Sequence, residues 1–227
     1  LLLKVRTLSG RKWHPEQKCW SAPPYPENVK SLEMWNFDFD GNVRNYLNRR
    51  SEKKVKLAKV NVKGLKGTLY PFQQTGVAFI EANNGRALIA DEMGLGKTVQ
   101  ALAWLQLHPR KRPAIIVVPA SLKLNWVKEA INWMRNPKIE LLMGTNPWEL
   151  EGEIVIINYD ILHDWLPILK DYDAKVLITD ECHYYKSSSA KRTKAIKTLA
   201  KQIPHIIALS GTPILNRPIE IYNAIRI

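Results

Sequence analysis

An α/β fold built on a doubly wound parallel sheet, preceded by a small α+β module, is what this 227-residue chain predicts. Three observations carry that expectation. From residue 69 onward, short apolar runs alternate with segments of helical periodicity. Several runs are continuously apolar, as parallel strands covered on both faces are. One of them, Ala87-Leu88-Ile89-Ala90, leads directly into the glycine-rich turn Asp91-Glu92-Met93-Gly94-Leu95-Gly96-Lys97-Thr98, and an apolar-periodic segment follows.

The elements follow in order. Near the N-terminus, Val5–Leu8 and Lys18–Trp20 read as short strands around a turn at Ser9-Gly10. Pro23-Pro24-Tyr25-Pro26 interrupts any regular element, and Asn28–Phe39 reads as one short helix ending before Asp40-Gly41. Residues 1–48 are therefore expected to form a small module, with a thin core that Trp13, Trp20 and Trp35 would organise. Residues 49–66 read as a basic linker or charged helix, and 67–227 as the larger lobe. Within the lobe, strands are expected at 87–90, 113–118, 139–143, 153–157, 175–179 and 205–209. Helices are expected between them at 72–82, 97–107, 121–134, 159–170 and 189–202.

Composition narrows the class. An apolar fraction of 45% and a charged fraction of 24% are ordinary for a globular protein. No apolar run approaches the ~20 residues of a membrane span, and Leu1-Leu2-Leu3 is too short for a signal-peptide core. Cys19 and Cys182 suggest neither a disulfide framework nor a metal cluster, so a reducing, intracellular setting is expected. The net charge of +13 points instead to a polyanionic partner. It is unevenly spread: residues 1–66 hold 15 Lys/Arg against 6 Asp/Glu. That stretch suits either nucleic-acid contact or a solvated, solubilising linker.

The turn at 91–98 has the chemistry of a nucleotide-triphosphate loop. Gly94 and Gly96 let backbone N–H groups turn inward around phosphate oxygens, Lys97 brings a charge to the outer phosphates, and the Thr98 hydroxyl can ligate Mg²⁺. Asp91 departs from the general pattern, since it stands where the first glycine belongs. A second apolar run, Lys175–Thr179, ends in Asp180-Glu181-Cys182-His183, at the strand end where open α/β sheets bind ligands. There Asp180 would hold Mg²⁺, Glu181 would orient or deprotonate a hydrolytic water, and His183 would sit beside the terminal phosphate. Cys182 lacks the base and orienting group that a nucleophile needs.

Together these segments resemble the Swi/Snf-type branch of superfamily-two helicases. Leu69–Gly76 is similar to the adenine-recognising Q motif, with Gln73 as the amide that reads the base. Val117–Trp126 resembles motif Ia, in which Ser121, Lys123 and Asn125 would meet DNA phosphates, with Trp126 a core anchor. Ile156–Asp160 is similar to the next nucleic-acid-facing segment and adds Asn158 and Tyr159. Leu209–Pro218 resembles motif III, where Ser210, Gly211 and Thr212 would couple nucleotide state to DNA grip. Met93, Gly94, Leu95 and Gly96 complete the expected nucleotide contacts. The resemblance implies a RecA-like first motor lobe that uses ATP and Mg²⁺ to move on, remodel or anneal duplex or branched DNA. Lys186-Ser187-Ser188-Ser189 departs from the family's usual Lys-Asn after the acidic motif. The N-terminal Arg11-Lys12-Trp13 and Lys18–Pro23 resemble the module that precedes the ATPase in DNA-annealing helicases of the HepA-related type. Its tryptophans suit base stacking or the module's own core.

Two other readings stand beside this one: an RNA helicase with the same core, which stimulation by RNA rather than duplex DNA would identify, and a non-hydrolytic DNA-binding scaffold, against which Lys97, Thr98, Asp180 and Glu181 argue. Family members complete the ATP site with arginines from a second RecA-like lobe, for which these 227 residues leave no room. Arginine fingers of that sort contribute about 10³–10⁵ in rate. The 227-residue chain alone is therefore expected to hydrolyse ATP slowly, with or without duplex DNA, in a phosphate-release assay. Full DNA-stimulated turnover by it would contradict the reading.

Overall fold

The computed structural model describes residues 2–41, 43–44, 60–185 and 190–211. The expectations at Lys186–Ser189, from Thr212 to Pro218, and for linker residues 49–59 lie outside these residues. Two compact units divide at Val55 and Lys56.

In the first unit, α1 (Leu2–Val5) precedes an antiparallel ribbon of β1 (Lys12–His14) and β2 (Cys19–Ser21), followed by α2 (Pro26–Met34). Val5–Leu8 is therefore not a strand. The Leu8 N–H bonds to the Val5 carbonyl and the Thr7 hydroxyl to the Lys4 carbonyl, which closes a turn instead. The helix also starts earlier than expected. Proline is tolerated in a first turn, whose N–H groups have no helical partner. It ends at Met34, and just beyond it Asn36, with φ at 57°, lets the Phe37 N–H reach back to the Leu32 carbonyl. Trp13 and Trp20 face each other across the ribbon, ring centroids 5.3 Å apart. The buried centre is polar: Asn28 accepts from the Ser9 N–H and donates to the Ser9 and Pro23 carbonyls, each at 2.9 Å. Leu8 is the one fully buried apolar side chain among this unit's described residues.

The second unit is the doubly wound sheet. In chain order it runs α3 (Pro71–Ala82), β3 (Arg86–Ile89), α4 (Lys97–Leu107), β4 (Ala114–Val118), α5 (Lys123–Trp133) and β5 (Ile139–Leu141). It continues with β6 (Ile154–Asn158), α6 (Leu162–Asp171), β7 (Val176–Thr179), α7 (Lys191–Ala200) and β8 (His205–Leu209). All six strands pair in parallel, in the order β3-β8-β7-β4-β6-β5. Each expected element is present; 97–107 and 205–209 coincide with the observed bounds and the others move by at most three residues.

Alternation along the strands builds two cores. Ala114, Ile116 and Val118 of β4, with Ile154 and Ile156 of β6, share one apolar cluster with residues of α3, α4 and α5. Ile115, Val117, Val155 and Ile157 point the other way, into a cluster with α6 and α7. Both faces are covered, which is why β4, β6 and β7 are buried throughout and read as unbroken apolar runs. The stretch 60–66, which the charge pattern joins to the linker, packs on the lobe: Val60, Val62 and Leu65 lie against the first cluster, and the Lys66 N–H donates to the Trp133 carbonyl.

Trp104 anchors α4. It is fully buried, and its indole N–H donates to Glu81 Oε2 on α3 at 2.9 Å. His108 Nε2 meets the same oxygen at 2.6 Å, and these bonds hold the Glu81 carboxyl below its usual range against the opposing effect of burial. Trp104→Ala should cost about 3–5 kcal/mol in urea unfolding, because it opens a cavity where two helices meet and removes one of the two partners of Glu81. A loss below about 1 kcal/mol would show that this contact does not hold the helices together.

Candidate nucleotide and nucleic-acid site

Strand order decides what meets at the carboxyl edge of the sheet. β3, β8 and β7 are consecutive neighbours, so the turn at 90–96, Ser210-Gly211 and Asp180-Glu181 emerge side by side. β4 and β6, on the far side of β7, deliver the segments beginning at Pro119 and Tyr159.

The glycine-rich turn has the backbone that its composition implies. Gly94 and Gly96 sit at φ 85° and 70°, a region L-residues with a Cβ seldom occupy, and Gly96 caps α4. A Cβ on Gly96 would also stand 2.5 Å from Gln73 Nε2, so the loop and α3 meet without space for a side chain. Lys97 Nζ donates to the Asp91 and Glu92 carbonyls at 2.8 and 2.9 Å, lying across the loop it belongs to. Thr98 is half-buried, while Met93 and Leu95 are exposed. Gln73 is buried; its Oε1 accepts from the Tyr70 N–H at 3.0 Å, and its Nε2 faces the Leu95 carbonyl at 3.5 Å. Ser210 is buried, with its N–H on the Ile89 carbonyl, and a Cβ on Gly211 would lie 2.6 Å from Met93 Cγ. Lys97 Nζ is the next side-chain atom, at 3.5 Å, so this segment touches the loop directly.

Asp180 is 7% exposed, and both carboxylate oxygens are engaged. Trp126 Nε1 donates to Oδ2 at 2.8 Å and the Glu181 N–H to Oδ1 at 2.9 Å. Burial raises its pKa, while the Trp126 bond and the charge of Lys97 pull it back. Glu181 holds φ at 48°, a conformation that costs a non-glycine residue about 1–3 kcal/mol and that clusters at functional sites. Its Oε2 lies 3.1 Å from His183 Nδ1. The pair is close enough for an ion pair, but the angle is wrong for a hydrogen bond, and both atoms are buried with no hydrogen-bond partner among the described residues. Cys182 is buried and its thiol is pushed up to about 12, chiefly by burial, which suits packing rather than nucleophilic chemistry.

The five residues given a nucleic-acid role separate into two groups. Ser121 and Asn125 are exposed at the start of α5, beside Leu124, which is 72% exposed. The other three are buried and engaged within the lobe. Lys123 Nζ donates to the Leu142 carbonyl at 2.9 Å, and burial lowers its pKa. Asn158 donates to Asp160 at 3.0 Å. The Tyr159 hydroxyl donates to the Asp180 carbonyl at 2.6 Å, so this ring braces the acidic segment from below; burial raises its pKa. Trp126, a core anchor by its sequence context, is also a direct partner of Asp180. An indole one residue after an exposed Asn is the signal its sequence offers, but nothing in the spacing ties it to a residue 54 positions away.

The chain's relatives agree with this geometry. The sequence profile of the SNF2-related domain matches residues 72–226. The DNA annealing helicase and endonuclease ZRANB3 of Mus musculus is 35% identical over 167 residues, which are 70% of this chain and 16% of that protein. The SWI/SNF-related matrix-associated actin-dependent regulator of chromatin subfamily A-like protein 1 homolog of Caenorhabditis elegans is 38% identical over 169 residues, 70% of this chain and 24% of that protein. This chain therefore spans a quarter or less of the length of either. Among solved structures, the Sulfolobus solfataricus SWI2/SNF2 ATPase core in complex with dsDNA superposes with a TM-score of 0.67 at 25% identity, over 74% of this chain and 37% of that one. Its RecA-like sheet, its loop at 91–98 and its acidic strand end now stand together with these relatives, and the chain belongs to the SNF2-related domain family.

Proposed function

We propose that this chain is the ATP-binding lobe of a DNA-dependent ATPase that translocates on, remodels or anneals duplex or branched DNA, coupling hydrolysis to DNA movement. One observation carries the reading: the glycine-rich loop, Asp180-Glu181 and Ser210-Gly211 leave three adjacent strands at one edge. ATP phosphates would lie against Gly94–Lys97, with Lys97 exchanging its loop carbonyls for phosphate oxygens. Gln73 would read adenine by exchanging its contacts with Tyr70 and Leu95 for the base edge. Glu181 would orient or deprotonate the hydrolytic water, with His183 beside it.

The residues also fit Mg²⁺. Asp180 and Thr98 offer oxygen only, and this ion keeps several waters, so two protein ligands suffice. Bound there, the ion would neutralise charge on the outer phosphates.

DNA contact is assigned to Ser121 and Asn125, with Lys123, Asn158 and Tyr159 supporting the surface from beneath. Residues 1–48 would add a basic recognition module, with 49–66 joining it to the lobe, and the exposed side of Trp13 is its candidate stacking face. Action on DNA would place the protein in the nucleus of a eukaryote, or in the cytoplasm of a prokaryote or phage-infected cell. Among the described residues no helix is long and apolar enough to cross a membrane.

The test is ATP binding and duplex-DNA binding by the chain, each measured with Lys97→Ala and Glu181→Gln. Lys97→Ala should weaken ATP binding and, in a complete motor, lower turnover about 10²–10³-fold while DNA affinity holds. Glu181→Gln should retain ATP and lose turnover. Undiminished turnover in either variant, or binding of RNA in preference to duplex DNA, would overturn the assignment.

Asp180 gives a second test. Its carboxyl pKa is raised on folding, so the native state keeps a proton that the unfolded chain has lost. Stability from this group is therefore highest near and below its ordinary value of 3.8 and falls as pH rises through the raised one. Trp126→Phe removes a bond to the ionised form and raises that pKa further. Its destabilisation should be about 1.5–3 kcal/mol near neutral pH and shrink on acidification, in urea titrations at several pH values. A pH-independent loss would mean that the indole only fills space.

A further inference from the structure

Asp91, which replaces the first glycine of the general loop pattern, has a partner on α4. Gln100 is fully buried, and its Nε2 donates to Asp91 Oδ2 at 3.0 Å. A carboxylate only accepts, so the amide must present its NH₂ to Asp91 and turn Oε1 away. Oε1 then faces α3, where it has no hydrogen-bond partner among the described residues. The room for it comes from Gly76: a Cβ there would overlap Oε1 and stand 2.7 Å from Cδ of the same amide. An unsatisfied buried carbonyl opposes folding, so the bond at the other end of the amide has to offset it. The backbone of the same Asp91 receives Lys97 Nζ.

We propose that Gln100 is a positioning residue for the phosphate loop, that Asp91 is acidic in order to be held by it, and that Gly76 is glycine in order to house it. The inference deepens the nucleotide reading of the loop and rests on it. Gln100 does not touch phosphate. It fixes the carboxylate of the loop's first residue, and so the direction of the carbonyls that hold Lys97. Gln73 of the same α3 faces the Leu95 carbonyl, so that helix meets the loop directly at Leu95 and, through the Gln100 amide seated on Gly76, indirectly at Asp91.

Reversing the polarity of the bond tests this. Gln100→Glu sets two carboxylates against each other, and pairing it with Asp91→Asn restores a hydrogen bond in which the Asn donates. Two measurements on the 227-residue chain are needed: affinity for a fluorescent Mg-ADP, and amide hydrogen exchange across residues 92–96 without nucleotide. Gln100→Glu should weaken Mg-ADP and speed loop exchange by about tenfold or more, with β4 and β6 unchanged, and the double variant should recover most of both. Wild-type behaviour of the single variant, or a double variant no better than it, overturns the proposal. So does exchange that rises across the whole lobe, the mark of a merely structural role. Loop exchange that follows the predicted pattern in a chain that does not bind Mg-ADP would uphold the tether and sink the nucleotide reading instead.

Discussion

Because all six strands of the sheet run in one direction, every strand ends at the same edge, and each loop that carries chemistry is delivered there by the pairing alone. The strand order then sorts those loops. The segments proposed to hold nucleotide leave β3, β8 and β7, and the two segments assigned to DNA leave β4 and β6. β7 lies between the groups, and Asp180, the residue that follows it, is gripped from the second group by Trp126 and Tyr159. One buried carboxylate is thus where the two halves of the site meet.

Keeping a carboxylate there is expensive. Burial alone would favour its neutral form, and the lobe opposes that with an indole N–H, a backbone N–H and the nearby charge of Lys97. The Glu181 N–H turns onto Asp180, and Glu181 itself takes a left-handed backbone. Local strain and desolvation are therefore concentrated in two consecutive residues, and the apolar clusters on both faces of the sheet supply the stability that sustains them.

The lobe was legible because its strands are buried on both sides. Runs such as Ile115-Ile116-Val117-Val118 leave little alternative to a covered parallel strand, and their spacing fixes the helices between. The glycine-rich turn and the acidic strand end were legible for a related reason, since local backbone geometry dictates their composition. The first unit was legible in outline, as a strand near Trp20 and a helix after the prolines, but not in its core: Asn28, a polar side chain, holds its centre, and hydrophobic periodicity carries no trace of such a bond. Lys123 and Tyr159 show the same limit. A lysine and a tyrosine near a nucleic-acid motif suggest contact with phosphate, but their polar atoms are spent on Leu142 and Asp180, and only the folded chain shows it. Sequence types a residue; pairing across 20 or 50 positions decides what its polar atoms meet.

The contact between Gly76 and Gln100 bears on how such a loop can change over time. Three positions on three segments, Gly76, Asp91 and Gln100, constrain one another through a single amide. A methyl group at the first evicts the amide, a neutral residue at the second removes its partner, and a shorter side chain at the third leaves a half-buried acid without its amide. Each step alone meets the others' resistance, so the effects are non-additive and the viable routes between loop types are few. Transplanting residues 91–98 into another α/β scaffold would carry the glycines and the lysine across but leave behind the helix that keeps the loop's first residue in place.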